Sequence, residues 1–295
     1  MRTRTSAPRA AISAFWDIST SLTTLGLRVI GRTIPKRIDV LREDADRTPG
    51  SGNSSMLPRD LSVEEVAMET RLEPVGEGLW VASAPFSLLG AEVGTRMTVV
   101  ALPGNGVALI SPVAIDDALA GELENLGGVR ALIAPNAMHH LFLEEASKRF
   151  PEATVFLAGG VEAKLGHRPG GARDLGEAPD ALWRDVLEQR FIAGIPMLNE
   201  VVFFHPASKS LIVTDLLFHY DPAPSGWTGI FLWLDGAFGR LAVSRLLRFM
   251  VKDRVALRAA LNAISEWDFE RIVVTHGENV GRDAKQRFGQ ATAGI

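Results

Sequence analysis

Hydrophobic residues follow two different spacings along this chain, and together they predict a layered fold of strands and helices. Short β-branched runs predict strands at residues 79–84, 97–102, 107–111, 131–134, 154–158, 190–193, 200–204, 210–214 and 272–275. Helical spacing occurs at residues 115–126, 140–150 and about 240–265. Two strand-rich halves, each followed by helices, therefore predict an α/β (α+β) protein in which two sheets pack together between helices.

The longest uncharged run of the chain lies between Met97 and Ile115. Its 19 residues approach the length of a membrane-spanning helix. Pro103-Gly-Asn-Gly interrupts this run, and Pro112 interrupts it again. Because such residues form turns, we predict a β-hairpin here rather than a membrane span.

The first 60 residues differ from the rest, and we predict an N-terminal extension and linker before a domain at residues 61–295. Residues 1–40 hold seven Arg or Lys and two Asp, a net charge of +5. Residues 46–60 are rich in Gly, Ser and Pro, which is typical of a linker. A partial apolar stripe is formed by Ile12, Phe15, Trp16, Leu22, Leu25 and Val29. Three interpretations stay open: a helix packed on the domain, peripheral membrane contact through residues 1–40, or a transit peptide.

Composition limits the classes of function. The net charge is −4, so no general attraction to nucleic acid is expected, and a small-molecule substrate or ligand is the expected partner. The chain has no cysteine, which excludes disulfides, thiolate ligands and a cysteine nucleophile. Any bound metal must therefore rest on nitrogen and oxygen. We expect a cytoplasmic protein, or an organellar one after removal of a transit peptide.

Metal-ligand side chains stand at the ends of three predicted strands. Asp215 follows Leu211-Ile-Val-Thr and His276 follows Ile272-Val-Val-Thr, whereas His139 and His140 lie three and four positions after the end of Ile133-Ala-Pro-Asn. Strand ends at one edge of a sheet bring such side chains together. The pattern thus predicts a site built from His139, His140, Asp215 and His276.

Residues 70 to about 285 resemble the metallo-β-lactamase superfamily, and more closely an uncharacterised metallo-β-lactamase-like family of unknown function. The segment Ala134-Pro-Asn-Ala-Met-His-His stands where the superfamily carries Thr-His-x-His-x-Asp-His. The segment Val213-Thr-Asp-Leu-Leu-Phe resembles the strand end that supplies the bridging aspartate, and Thr275-His-Gly resembles the end that supplies the final histidine. The resemblance implies a four-layer αββα sandwich.

The departures from the superfamily pattern fall on one of its two metal sites. Pro135, Ala137 and the neighbourhood of Pro196 occupy the positions of the histidines that build the first site. The second-site positions become His139, His140, Asp215 and His276. The resemblance therefore implies a degenerate site with one Zn, Fe or Mn ion, or a site with no metal.

Two hypotheses about function follow. The first is a metal-dependent hydrolase of unknown substrate, in which Glu200 or Glu278 serves as a base or orients other groups. The second is a catalytically inactive, metal-free binding or structural protein on the same fold. Four aromatic residues of a charge-poor segment are expected to cover the core or, alternatively, to line a substrate entrance; they are Trp227, Phe231, Trp233 and Phe238.

Overall fold

Residues 70–295 are described by a computed structural model. The predicted N-terminal extension, and with it the predicted boundary at residue 60, lies outside the described residues. The first nine strands are β1 (Glu73–Gly76), β2 (Leu79–Ala84), β3 (Ser87–Leu88), β4 (Ala91–Glu92), β5 (Thr95–Ala101), β6 (Val107–Ile110), β7 (Val129–Ala134), β8 (Thr154–Leu157) and β9 (Arg173–Asp174). Seven of them form one sheet in the order β1-β2-β5-β6-β7-β8-β9, whereas β3 and β4 pair as a small hairpin.

The second sheet comes from the second half of the domain. The remaining strands are β10 (Glu188–Phe191), β11 (Val201–His205), β12 (Ser210–Val213), β13 (Phe218–His219), β14 (Leu241–Ala242) and β15 (Arg271–Val274). Four of them form a sheet in the order β10-β11-β12-β15, and β13 pairs with β14. The helices within residues 70–295 are α1 (Asp117–Asn125), α2 (Leu143–Arg149), α3 (Val161–Leu165), α4 (Gly226–Asp235), α5 (Arg245–Met250), α6 (Arg254–Glu266) and α7 (Ala284–Thr292).

Alternating side chains of β11 show how the layers stack. Val201 and Phe203 belong to the core cluster of the first sheet, so they point between the two sheets. Val202 and Phe204 belong to a second cluster that includes apolar residues of α6 and α7, so they point toward helices. Sheet packs on sheet, with helices outside. The predicted four-layer αββα sandwich is therefore confirmed.

Helix α6 illustrates why the outer layer forms. Its buried positions are Leu257, Ala260, Leu261 and Ile264, which follow the i, i+3, i+4, i+7 spacing of an amphipathic helix. The preceding Asp253 caps the helix, since its carboxylate accepts hydrogen bonds from the N–H groups of Val255 and Ala256. The sequence predicted one helical block over residues 240–265, whereas β14 and the short α5 occupy its first half.

The uncharged run near residue 100 forms the predicted hairpin. β5 and β6 are antiparallel and enclose Pro103–Gly106, where Gly104 and Gly106 have φ values of 76° and 102°. Such positive φ angles suit glycine because it lacks a Cβ atom. Within residues 70–295, no helix is long and apolar enough to cross a membrane.

Candidate metal centre

Three of the predicted ligands leave the two sheets at neighbouring strand ends. Asp215 lies two residues after β12 and His276 two residues after β15. These strands are parallel neighbours with Val213 opposite Val274, so both side chains emerge at the same edge. His139 follows β7 of the other sheet. The site therefore bridges the two sheets of the sandwich.

Asp215 stands between the two imidazole rings. Its Oδ2 atom is 3.2 Å from Nε2 of His139, and its Oδ1 atom is 3.4 Å from Nε2 of His276. One ligand atom from each of the three residues lies within 4.8 Å of the other two. Atoms this close can share one ion, because ligands sit about 2 Å from a transition metal. The three residues form a group that could hold a metal ion, and we call this group the Asp215 centre.

His140, the fourth predicted ligand, is not a member of the Asp215 centre. Its Nδ1 atom is 3.0 Å from the carbonyl oxygen of Ala137 and donates to it. Its ring is partly buried, and this burial lowers its pKa. Adjacent histidines on this turn thus point to different surroundings, and the structure brings only His139 to Asp215.

Both histidines of the Asp215 centre are held through their second ring nitrogen. His276 Nδ1 donates to the carbonyl oxygen of Gly94 at 2.8 Å, and His139 Nδ1 is 2.7 Å from Ser111 Oγ. Phe218 stacks on the His276 ring with a centroid distance of 5.3 Å. A fixed outer partner of this kind orients a metal-binding histidine and presents Nε2 to the ion.

Asn136 joins the turn that carries His139 to the loop that carries Asp215. Its Oδ1 atom accepts hydrogen bonds from the N–H groups of Met138 and His139, at 2.8 and 3.0 Å. Its Nδ2 atom donates to Asp215 Oδ2 at 2.8 Å and to Thr214 Oγ1 at 2.9 Å. The side chain is fully buried. Asn136 therefore fixes one ligand relative to another across the two sheets.

Glu200 holds the loop that carries Asp215 through hydrogen bonds to its backbone. Its fully buried carboxylate accepts three backbone hydrogen bonds, from Thr214, Asp215 and Leu216, at 2.8, 3.0 and 2.9 Å. Burial, together with the nearby charge of Asp215, raises the pKa of Glu200 to about 8, against the effect of its N–H donors. Burial acts in the same direction on Asp215, but His139 and His276 outweigh it and hold the Asp215 pKa well below its usual range.

Arg96 holds the loop of His276. Its Nη1 atom donates to the carbonyl oxygens of Val274 and Gly277, both at 2.7 Å, and so bonds to the backbone on either side of the histidine. Burial lowers the pKa of Arg96, which is the usual effect of removing a cation from water. This arginine positions the site.

Backbone hydrogen bonds hold the positions at which the sequence resemblance implied lost metal ligands. The carbonyl oxygen of Pro135 accepts from Val201 N at 2.8 Å, and Ala137 N donates to Leu198 O at 3.1 Å. Pro196 lies on the same connection and offers its carbonyl to the side chain of Asn199. Within residues 70–295, the Asp215 centre is the only group of three such side chains that lies close enough to share a metal ion.

The side chain of the second candidate glutamate, Glu278, and two further histidines lie outside the Asp215 centre. Glu278 is exposed, and its backbone bonds to His219. His219 accepts from Arg287 at 2.7 Å, and His205 faces Ser208 Oγ at 2.7 Å. Sequence reasoning missed Asn136 and Ser111 as supporting residues. A signal existed for each, since Ser111 ends a strand run and Asn136 begins the turn that carries the histidines.

Two kinds of comparison with known proteins gave matches. Residues 77–164 match a family described as a domain of unknown function (DUF4336). The described domain has the metallo-β-lactamase fold, because many solved proteins of that fold match it. A metallo-β-lactamase from Pontibacter korlensis is 14% identical with a TM-score of 0.54, and the match covers 77% of this chain and 100% of that one. No curated protein matched the sequence.

Two other matching proteins were studied in a metal-soaked or zinc-bound form. The FIM-1 metallo-β-lactamase from Pseudomonas aeruginosa in its mono-zinc form is 15% identical with a TM-score of 0.52, over 75% of this chain and 94% of that one. The metal-soaked Flv1 flavodiiron core from Synechocystis sp. PCC6803 is also 15% identical with a TM-score of 0.52, over 75% of this chain and 59% of that one. At this identity the likeness establishes the fold alone.

Proposed function

We propose that this protein is a metal-dependent hydrolase that uses one transition-metal ion, held by His139, Asp215 and His276. The proposal rests above all on the closeness of these three residues, since one ligand atom from each lies within 4.8 Å of the other two. A carbonyl oxygen can only accept, so the Nδ1 atom facing Gly94 O must carry a hydrogen. In the neutral ring, Nε2 then has a lone pair that faces the Asp215 carboxylate at 3.4 Å. Two lone pairs repel each other unless a cation lies between them, and a metal ion would fill this place.

The rest of the centre fits a divalent ion. Ser111 Oγ can accept a hydrogen bond from His139 Nδ1, which frees the Nε2 atom of His139 for coordination. Asn136 Nδ2 donates to one Asp215 oxygen and fixes the carboxylate plane. Two imidazole nitrogens and one carboxylate suit Zn, Fe or Mn, and three protein ligands leave positions open for water and substrate.

We propose one metal ion per chain because of the residues at the three neighbouring positions, Pro135, Ala137 and Pro196. Pro135 and Ala137 offer no ligand atom in their side chains, and their backbone groups are already bonded to Val201 and Leu198. Pro196 likewise offers none. At these three positions the described chain offers no side-chain donor for a second ion, and the proposed chemistry therefore uses one.

The residues around the Asp215 centre position its side chains, and we identify no general base among them. A bound ion would acidify a water molecule and polarise a substrate oxygen. Asp215 and the two histidines would hold that ion. Glu200 is fully buried behind the loop, and its oxygens already accept three N–H groups, so we assign it to positioning. Glu278 is exposed, and we assign it no step.

The test combines metal loading with substrate classes. The full chain is stripped with a chelator, reloaded with one equivalent of Zn, Fe or Mn, and assayed on a phosphodiester, a carboxylic ester, a thioester and a β-lactam. We expect turnover of at least one class, and its loss in Asp215→Asn. The matched control is Asp185→Asn, an exposed aspartate, which should retain full turnover. Absence of turnover in all four classes, or equal turnover in both variants, contradicts the proposal.

A metal-free binding protein is the second candidate, and one observation favours it. If His276 carries protons on both ring nitrogens, the imidazolium and Asp215 form an ion pair at 3.4 Å and the centre is complete without a metal. In that case the chain should bind no metal under any loading condition. The two candidates therefore differ in metal content as well as in activity.

A further inference from the structure

An exposed apolar surface lies on α4 and the hairpin beside it. Six of the nine large hydrophobic side chains exposed within residues 70–295 belong to it, and we call them the α4 face: Leu89, Trp227, Ile230, Trp233, Leu234 and Phe238. Trp227 and Trp233 expose 53% and 62% of their surface. The expectation that these aromatic residues cover the core is therefore wrong for Trp227, Trp233 and Phe238.

The α4 face is a regular feature of the helix. Trp227, Ile230 and Leu234 follow i, i+3, i+7 spacing, so they share one side. The buried residues of the helix, Gly229 and Leu232, turn toward the protein on the other side. The helix therefore uses one apolar side for its own core and presents a second apolar side to the outside, where an ordinary surface helix is polar.

Contacts with the hairpin of β3 and β4 hold the helix in place. The Trp227 Nε1 atom donates to the carbonyl oxygen of Leu89 at 3.0 Å, and Glu92 N donates to Thr228 Oγ1 at 2.9 Å. Phe238 lies against Gly229, where a Cβ atom would come within 3.4 Å of its ring. The exposed side chains of the α4 face are therefore carried by a helix that is fixed to the hairpin, as expected of a binding surface.

Two exposed arginines stand at the C-terminal end of α4, beside the α4 face. Arg245 Nη1 donates to the carbonyl oxygen of Leu234 at 2.9 Å, and Arg240 donates to that of Gly236 at 3.2 Å. Residues 226–252 contain four Arg or Lys and one Asp, a net charge of +3 in a chain whose net charge is −4. Among the described residues, neither Arg240 nor Arg245 forms an ion pair within 4.0 Å.

We propose that the α4 face docks on the surface of an anionic lipid bilayer. The partner must be apolar and anionic over an extended area, and exposed Trp, Phe and Leu side chains flanked by arginines match the interface of such a bilayer. A second copy of this chain is a poorer partner, because a twofold contact places the same +3 segment against itself. The proposal is independent of the metal centre and of residues 1–40.

The test is sedimentation of the full chain with vesicles of phosphatidylserine and phosphatidylcholine, compared with vesicles of phosphatidylcholine alone. Paired Trp227→Ser and Trp233→Ser substitutions should weaken binding about tenfold or more, because the inserted apolar area is lost. Paired Arg240→Gln and Arg245→Gln substitutions should weaken binding to the anionic vesicles about fivefold for each charge. Thermal melting confirms that each variant folds.

Two sets of full-chain controls assign the effect to the α4 face. Paired Leu141→Ser and Val255→Ser substitutions remove side chains that are 55% and 82% exposed outside this face, and binding should not change. Substitution of Arg2, Arg4 and Arg9 by Gln removes charge from the N-terminal segment and should leave the contribution of the two tryptophans intact.

Three results overturn the proposal. The first is absence of vesicle binding by the full chain. The second is binding that the tryptophan pair does not change but the N-terminal substitutions abolish. The third is a dimer, measured by sedimentation velocity without lipid, that the tryptophan pair converts to a monomer. As a check that does not depend on these variants, brominated lipids should quench tryptophan emission in the Trp16→Phe chain.

Discussion

Replacing Asn136 with alanine removes the side chain that joins the His139 turn to the Asp215 loop. The substitution deprives the N–H groups of Met138 and His139 of their acceptor, and it deprives Asp215 Oδ2 of a donor at 2.8 Å. A buried polar group left without a partner costs about 1–3 kcal/mol. Met138 and His139 are partly exposed, so water can compensate in part, and the expected loss of unfolding free energy is about 2–4 kcal/mol.

The same substitution should weaken metal binding. Asp215 loses the hydrogen bond that fixes its plane, and loss of such outer partners typically lowers metal affinity about 10- to 100-fold. Denaturant unfolding of the metal-free protein gives the stability term, and competition with a chromophoric chelator gives the affinity. The control is Asn262→Ala, an exposed position within α6, where stability should change by less than about 0.5 kcal/mol. Unchanged stability and affinity in the Asn136 variant would refute the role given to this residue.

Three further predictions concern other parts of the chain. Arg96→Met should lower the unfolding free energy by about 3 kcal/mol, measured by urea denaturation, because two carbonyl groups beside His276 lose a charged donor; an unchanged midpoint would contradict this. Burial lowers the pKa of His205 and His219 in the folded protein. As the pH falls below 6.5, the two imidazole rings therefore become protonated in the unfolded chain before they do so in the folded one. Stability of the metal-free protein should then fall by up to about 1.4 kcal/mol per pH unit for each histidine until the folded pKa is reached, and a constant urea midpoint between pH 7 and 5 would count against it. Removal of residues 1–55 should leave a folded domain, and aggregation or a much lower melting temperature would show that this segment covers the core.

The fold was predictable because its strands are short, apolar and bounded by turn residues. The predicted strand at residues 79–84 matches β2, and the predicted strand at residues 210–214 matches β12 to within one residue. Helix α4 was not predicted. Its segment has a single charged residue, Asp235, and apolar residues on most sides, so the hydrophobic pattern could not separate a helix with an exposed apolar surface from a buried segment.

The candidate site was predictable in part for a similar reason. A polar residue that ends an apolar run lies at a sheet edge, and this placed Asp215 beside His276. The separate direction of His140 depends on the backbone of a single turn, which sequence spacing does not determine. The contact of Asn136 with Asp215 joins residues 79 positions apart, and no local pattern encodes it.

The metal content of the full chain, prepared without a histidine-rich tag, tests the central claim most directly. Elemental analysis after separate loading with Zn, Fe and Mn should give about one equivalent of one ion per chain. His276→Ala should reduce this content sharply, since it removes a ligand from the Asp215 centre, whereas His167→Ala, an exposed histidine, should not. Two equivalents would contradict a single site, and no metal under any condition, or full content in the His276 variant, would contradict the Asp215 centre itself.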